Sequence, residues 1–189
     1  FKDILLENGD KDFIENNAHV IGIEKSNKIL HQEANRDVLV SLQFTDDHTD
    51  NQNKKLLSEL TSYINNNKEF NFFLRDHPRF NKEVTLDHLY QQEHVFIAPE
   101  SLYDCFKKCS IHLTSYSTTT FECALYGIPT VFLNFLEDDF NMFTSDYYVR
   151  KNSISFIFNH YKQESLFVRN WVEGYYSPFE EKKFISLLQ

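Results

Sequence analysis

Apolar residues in this chain come in short runs, separated by amphipathic or polar stretches. Asp37-Val38-Leu39-Val40-Ser41-Leu42-Gln43-Phe44 is a β-branched apolar run of the kind a buried parallel strand needs. Leu56, Leu57, Leu60 and Ile64 recur at helical spacing and predict an amphipathic helix over 52–66. The polar, acidic stretch 45–53 leads into it, and Asn65-Asn66-Asn67 ends it. A second strand is predicted over 70–75, a short helix near 85–92, and a third strand over 94–98, closed by Pro99. Leu102, Cys105, Phe106 and Cys109 share one face of a helix over 101–109. A fourth strand follows over 110–114, then a hydroxyl-rich turn at 115–120 and a helix to Tyr126. Gly127 is that helix's natural stop, with Pro129 just beyond. Residues 129–134 predict a fifth strand, 154–158 read as strand-like, and helices are expected near 162–173 and 178–188. The first 35 residues are mixed; His19-Val20-Ile21-Gly22-Ile23 reads as a strand or an entry segment.

Strands alternating with helices imply an α/β fold: a Rossmann-like parallel sheet flanked by helices, with right-handed crossovers. The expected organisation is an entry segment or linker over 1–36, the sheet domain over 37–160, and C-terminal helices over 161–189. No internal repeat or low-complexity tract interrupts it.

Composition narrows the function. Hydrophobic residues make up 41% of the 189 and aromatic residues 16%, enough to bury a core and to exclude general disorder. A net charge of −9 argues against a general nucleic-acid binder and against an anionic membrane surface as main partner. Any phosphate ligand must therefore be held by a local basic cluster. No apolar run approaches the roughly 18–20 residues that cross a bilayer. The chain starts Phe1-Lys2-Asp3 without a secretory signal, and its only Met is Met142, so a piece of a longer protein is expected. Cys105, Cys109 and Cys123 do not form a disulfide framework and suggest a reducing, cytoplasmic setting. Cys105-x3-Cys109-x2-His112 lacks the second ligand pair of a zinc site, so buried thiols are expected and no metal. Glu137-Asp138-Asp139 reads as a solvated acidic loop. His19, His31, His48, His88 and His160 sit in ordinary contexts and receive no role, and Trp171 is expected to pack a helix.

Ligands of open parallel sheets bind outside the carboxyl ends of the strands, and two such ends are unusual here. Arg75-Asp76-His77-Pro78-Arg79 puts three potential cations within five residues, and Pro78 holds His77 extended. These side chains suit charge-assisted hydrogen bonds to a phosphate; the alternative is a turn with solvated charges. The second end is Thr114-Ser115-Tyr116-Ser117-Thr118-Thr119-Thr120-Phe121-Glu122. Thr119 and Glu122 match a capping box, and a helix start ringed by hydroxyls suits an anion; the alternative is a well-capped helix and nothing more. Together the two ends point to phosphate binding by Arg75, His77, Arg79, Ser115, Ser117, Thr118 and Thr119. Glu122 either caps its own helix or accepts from ribose hydroxyls.

The order strand, His77-Pro78, strand, helix, strand, Ser/Thr turn resembles the C-terminal half of GT-B glycosyltransferases. It is most similar to bacterial surface-polysaccharide enzymes, the sialyltransferases and capsule Kdo transferases. The run Glu122-Cys123-Ala124-Leu125-Tyr126-Gly127-Ile128-Pro129 resembles the wider family's E-A-x-x-x-G-x-P, with Cys123 in place of Ala. The resemblance covers about residues 37–134. It implies one half of a GT-B architecture, with His77 and Ser117, Thr118 and Thr119 on the donor phosphate. Ala98-Pro99-Glu100-Ser101 would then lie beside the nucleotide, making Glu100, Ser101 and Glu122 base or ribose contacts. The implied partners are a nucleotide-sugar donor, a polysaccharide or glycolipid acceptor, and an N-terminal half that supplies the catalytic base and any peripheral membrane contact. No metal or cofactor is implied, and the implied location is the cytoplasm, at the inner membrane face. A sugar-nucleotide epimerase of related fold and a non-catalytic partner-binding α/β module are the competing expectations.

Overall fold

Strand β1 (Asp37–Ser41) occupies the centre of the sheet, which explains why its sequence is apolar on both faces. The computed structural model describes residues 10–19, 29–80, 82–133, 153–176 and 179–188. The expectations for 19–23, for the Glu137-Asp138-Asp139 loop and for position 134 lie wholly or partly outside those residues. The chain divides into two units, Asn27–Val172 and Phe1–Ser26 with Glu173–Gln189.

In the larger unit, β1 is followed by α2 (Asp50–Asn65), β2 (Asn71–Arg75), α3 (Asp87–Tyr90), β3 (Val95–Ile97) and α4 (Leu102–Lys108). Then come β4 (Ile111–Thr114), α5 (Thr119–Leu125), β5 (Thr130–Phe132), α6 (Ile154–Asn159) and most of α7 (Tyr161–Tyr175). The strands are all parallel in the order β3-β2-β1-β4-β5, with Leu39 level with Phe73 on one side and His112 on the other. This is the α/β, Rossmann-like sheet that the alternation of elements predicts. The order reverses between β1 and β4, so that is the topological switch point. In the smaller unit, α1 (Lys11–Asn17) is capped by the Asp10 carboxylate, which accepts from Phe13 N–H at 3.0 Å; α8 spans Glu181–Leu187.

The pleat sends alternate residues of β1 into two cores. Val38, Val40 and Leu42 pack with Leu56, Leu60 and Ile64 of α2 and with Ile154 and Ile157 of α6. Leu39 faces the other way, onto Phe73, Cys105, Phe106, Cys123 and Ile128. Each such aliphatic side chain contributes about 1.5–3 kcal/mol on burial. Trp171 packs as expected, stacked on Phe121 with ring centroids 5.3 Å apart. No described helix is long and apolar enough to cross a membrane.

The clearest departures from the sequence expectation are two boundaries and one element type. β1 ends at Ser41 rather than Phe44; Leu42, Gln43 and Phe44 stay buried in the loop that follows, and Leu42 N–H donates to the Arg75 carbonyl at 3.0 Å. α2 starts at Asp50 because Thr49 and Gln52 form a capping box. Residues 154–158 form helix α6, not a strand. Ser153 caps it by accepting from Phe156 N–H at 3.1 Å, and Ile154 and Ile157, three apart, both face the core. Gly127 stops α5 as predicted: its φ is +72°, and Ile128 N–H reaches back to the Cys123 carbonyl at 2.9 Å.

Candidate functional site

Strand ends β2, β1 and β4 lie side by side, so the two motif-bearing segments flank the loop between β1 and α2. Two strand spacings, about 10 Å, separate the ends of β2 and β4.

On the β2 side, Arg75 is already engaged. Its Nη1 donates to the carbonyls of Pro99 at 3.3 Å and Glu100 at 2.7 Å, tying the β2 end to the β3–α4 loop. His77 Nδ1 accepts from the Arg79 backbone N–H at 3.1 Å, so the proton of the neutral ring sits on Nε2. Partial burial, and then the nearby Arg79 charge, lower the His77 pKa against an opposing pull from Asp47. The ring is therefore a neutral N–H donor near pH 7. Burial raises the neighbouring Asp76 carboxyl. Arg79 pairs with Asp47 at 2.8 Å; both are more than half exposed, so the pair is worth at most about 1 kcal/mol.

On the β4 side, the hydroxyls are wired to the sheet. Thr114 Oγ1 donates to the Ser41 carbonyl at 2.9 Å and accepts from Ser117 N–H at 3.3 Å. Ser117 Oγ donates to Thr119 Oγ1 at 3.0 Å and accepts from Thr119 N–H at 3.2 Å. The capping box expected between Thr119 and Glu122 is absent. Thr119 is already the first helical residue, Thr118 is the N-cap without a side-chain bond, and Ser117 supplies the acceptor instead. Glu122 therefore does not complete a capping box; desolvation raises its carboxyl pKa, partly restrained by its bond to its own backbone N–H. Ser115, with Ser41, Gln43 and Thr114, lines one side of a small, mostly apolar cavity of about 20 Å³ at the switch point, closed by Leu42, Phe44, Leu56 and Leu133. Glu100 is exposed, and the Ser101 hydroxyl caps α4 by accepting from Asp104 N–H at 3.4 Å. These two residues follow β3, three strand spacings (about 14 Å) from β4, so the sheet does not bring them to the Ser/Thr turn.

Beneath the turn, His112 is fully buried and bonded on both nitrogens: Nδ1 lies 2.9 Å from Thr130 Oγ1 and Nε2 2.8 Å from Ser41 Oγ. Burial pushes its pKa down to about 3, so the ring stays neutral. The polar row Thr130–His112–Ser41 crosses three strands and meets Thr114, stiffening the floor of the turn. Among the described residues no group of three His, Cys, Asp or Glu side chains is placed to hold a metal.

The loop between β1 and α2 went unassigned in the sequence, yet it touches both segments. Asp47 reaches Arg79, Thr45 bridges to Phe80, and His48 Nε2 lies 2.6 Å from the Tyr116 hydroxyl. His48 is 7% exposed and Asn53 3%. His48 Nδ1 stands 3.3 Å from Asn53 Oδ1, while Asn53 Nδ2 is buried without an acceptor, at a cost of about 1–3 kcal/mol. The rule applied to β2 and β4, that strand carboxyl ends carry chemistry, also applies to β1 and would have drawn attention to Asp47 and His48.

No protein-family model matches the sequence, and no curated protein matches it. Among solved structures, one similar chain is assigned as a UDP-N-acetylglucosamine 2-epimerase from Listeria monocytogenes; identity is 13% and the TM-score 0.42, over 72% of this chain and 37% of that one. A variant of the wall teichoic acid polymerase TagF is similar at 14% identity and a TM-score of 0.45, over 89% of this chain and 45% of that one. A second TagF variant gives 15% and 0.40 over the same shares. The chain thus spans less than half the length of these proteins. Likeness this distant says nothing of residue roles; the α/β assignment stands on the strand order itself.

Proposed function

We propose that this chain is the donor-binding half of a GT-B glycosyltransferase, holding a nucleotide-activated sugar across the carboxyl ends of β2, β1 and β4. One observation carries the reading: a neutral His77 Nε2–H donor and a hydroxyl turn wired to the sheet flank the point where strand order reverses. A gap of about 10 Å is too wide for one phosphate and suits a diphosphate or a phosphate with its sugar. His77 and the hydroxyls of Ser117, Thr118 and Thr119 hold the phosphates, and Arg79, paired with Asp47, stands at the rim. Arg75 acts indirectly, by fixing the β3–α4 loop beside which the nucleoside lies, near Glu100 and Ser101; Glu122, on the β4 side, is too far across the sheet to share that contact. Donors aimed at the leaving phosphate stabilise the charge that develops as the sugar departs. The acceptor, a surface polysaccharide or glycolipid, and the base that deprotonates it belong to the N-terminal half in this proposal.

The test is an amide NMR titration of the chain with CMP, CDP, UDP and GDP, repeated on His77→Ala and Ser117→Ala. Saturable shifts around 75–79 and 115–119, weakened in both variants, are the expected outcome. A folded chain that responds to none of the four nucleotides sinks the proposal. One observation favours a second reading, a partner-binding module: edge strand β3 leaves Phe96 41% and Ile97 76% exposed.

A further inference from the structure

His48 stands between two structures that the proposed function treats separately. His48 Nδ1 stands 3.3 Å from Asn53 Oδ1 and its Nε2 2.6 Å from the Tyr116 hydroxyl, so the ring is held at both nitrogens. Burial, and next the Asp47 charge, push the Tyr116 pKa up to about 12, so the phenol keeps its proton. The two rings also meet edge to face, centroids 5.9 Å apart at 73°. Tyr116 is the residue before Ser117 in the hydroxyl turn. Among the described residues that turn is therefore anchored by Thr114 from within the sheet and by His48 from the neighbouring loop. The residue before His48, Asp47, holds Arg79, two residues beyond His77. A five-residue stretch, 45–49, thus spans both sides of the site. Its geometry is held from beneath by the turn bond from His48 N–H to the Thr45 carbonyl at 3.2 Å and by the Thr49–Gln52 capping box.

We propose that His48 is a positioning residue: through Tyr116 it sets where Ser117 and Thr119 stand relative to His77, and so tunes how a phosphate-bearing ligand is held. This rests on the donor-site reading above.

A double-mutant cycle on the full chain tests it, with His48→Phe, Tyr116→Phe and both together, and with His48→Gln to restore a hydrogen-bonding side chain. Two quantities are read: the amide shifts of Ser117, Thr118 and Thr119 without ligand, and the dissociation constants for CMP, CDP, UDP and GDP. If His48 acts through Tyr116, each single change moves the same three amides and weakens nucleotide binding about two- to tenfold. The double variant then loses no more than the worse single, and His48→Gln recovers most of the loss. Additive losses, or unmoved turn amides in a folded variant, overturn the proposal. If His48→Phe does not fold, Tyr116→Phe alone decides, since it removes only the hydroxyl. If the parent chain binds none of the nucleotides, the donor-site reading fails, and the ligand-free amide shifts still decide the role of His48.

Discussion

Acidification acts on His112 in a way that can be worked out from its surroundings. The native ring is fully buried and held neutral, its pKa lowered to about 3 by burial, whereas the unfolded ring titrates near its ordinary value of about 6.5. Between those two values the unfolded chain binds a proton that the folded chain refuses. Stability therefore falls as pH drops through that window. At about pH 5 the penalty is about 2 kcal/mol relative to about pH 7. The figure scarcely depends on how far below 5 the native value lies, because the unfolded ring sets it. For a chain of this size 2 kcal/mol corresponds to roughly 4–8 °C in melting temperature. The assay is urea or thermal unfolding across that pH range, on the parent chain and on His112→Gln, which cannot titrate. Other groups, including His77 with its own lowered pKa, respond in both proteins and cancel in the difference. The variant is expected to be less stable at neutral pH and to lose less on acidification. Equal losses in the two proteins would refute the claim that His112 is neutral in the fold.

Gly127→Ala puts a side chain at φ +72° and its Cβ 2.5 Å from Ser165 Oγ, so a loss of more than about 1 kcal/mol is expected in a denaturant melt. Adding Ser165→Gly should recover only the steric part. Thr49→Ala removes the capping box of α2 and should cost about 1 kcal/mol, while Thr119→Ala, which caps nothing, should cost less. The three thiols are buried and their pKa values raised by desolvation. A thiol reagent at about pH 8 should leave them largely unmodified in the folded chain and label all three in denaturant.

Sequence pattern located the inner strands because a parallel strand buried on both faces is largely apolar, and runs such as Val38-Leu39-Val40 have few other uses; edge strand β3, with Phe96 and Ile97 exposed, was marked by its short apolar run closed by Pro99. It failed at 154–158, where Ile154-Ser155-Phe156-Ile157-Phe158 suits either period. The deciding residue is Ser153, whose capping bond to Phe156 starts a helix. Capping boxes were equally ambiguous: Thr119 and Glu122 have the spacing without the bonds, whereas Thr49 and Gln52 have both. His77 and the Ser/Thr turn stood out because each is a dense local cluster. His48, Asp47 and the His112 row did not, since their partners are distant in sequence: Tyr116 lies 68 residues after His48, and Ser41 lies 71 before His112. Local spacing carries no trace of such pairings.

The central place of β1 also sets an order of events when the chain is made. Ser41 and its ladder partner Thr114 are 73 residues apart. At about 5–20 residues per second, a ribosome needs roughly 4–15 s to supply β4 after β1 has emerged. Through that interval β1 can pair with β2 alone, and its other edge, the apolar Val38-Leu39-Val40 run, stays open. Contacts this non-local slow folding and leave sticky intermediates. The groups gathered at the switch point, His48 with Tyr116 and Ser41 with His112, come together only when that edge closes, so the site proposed above forms later than the β1–β2 pair.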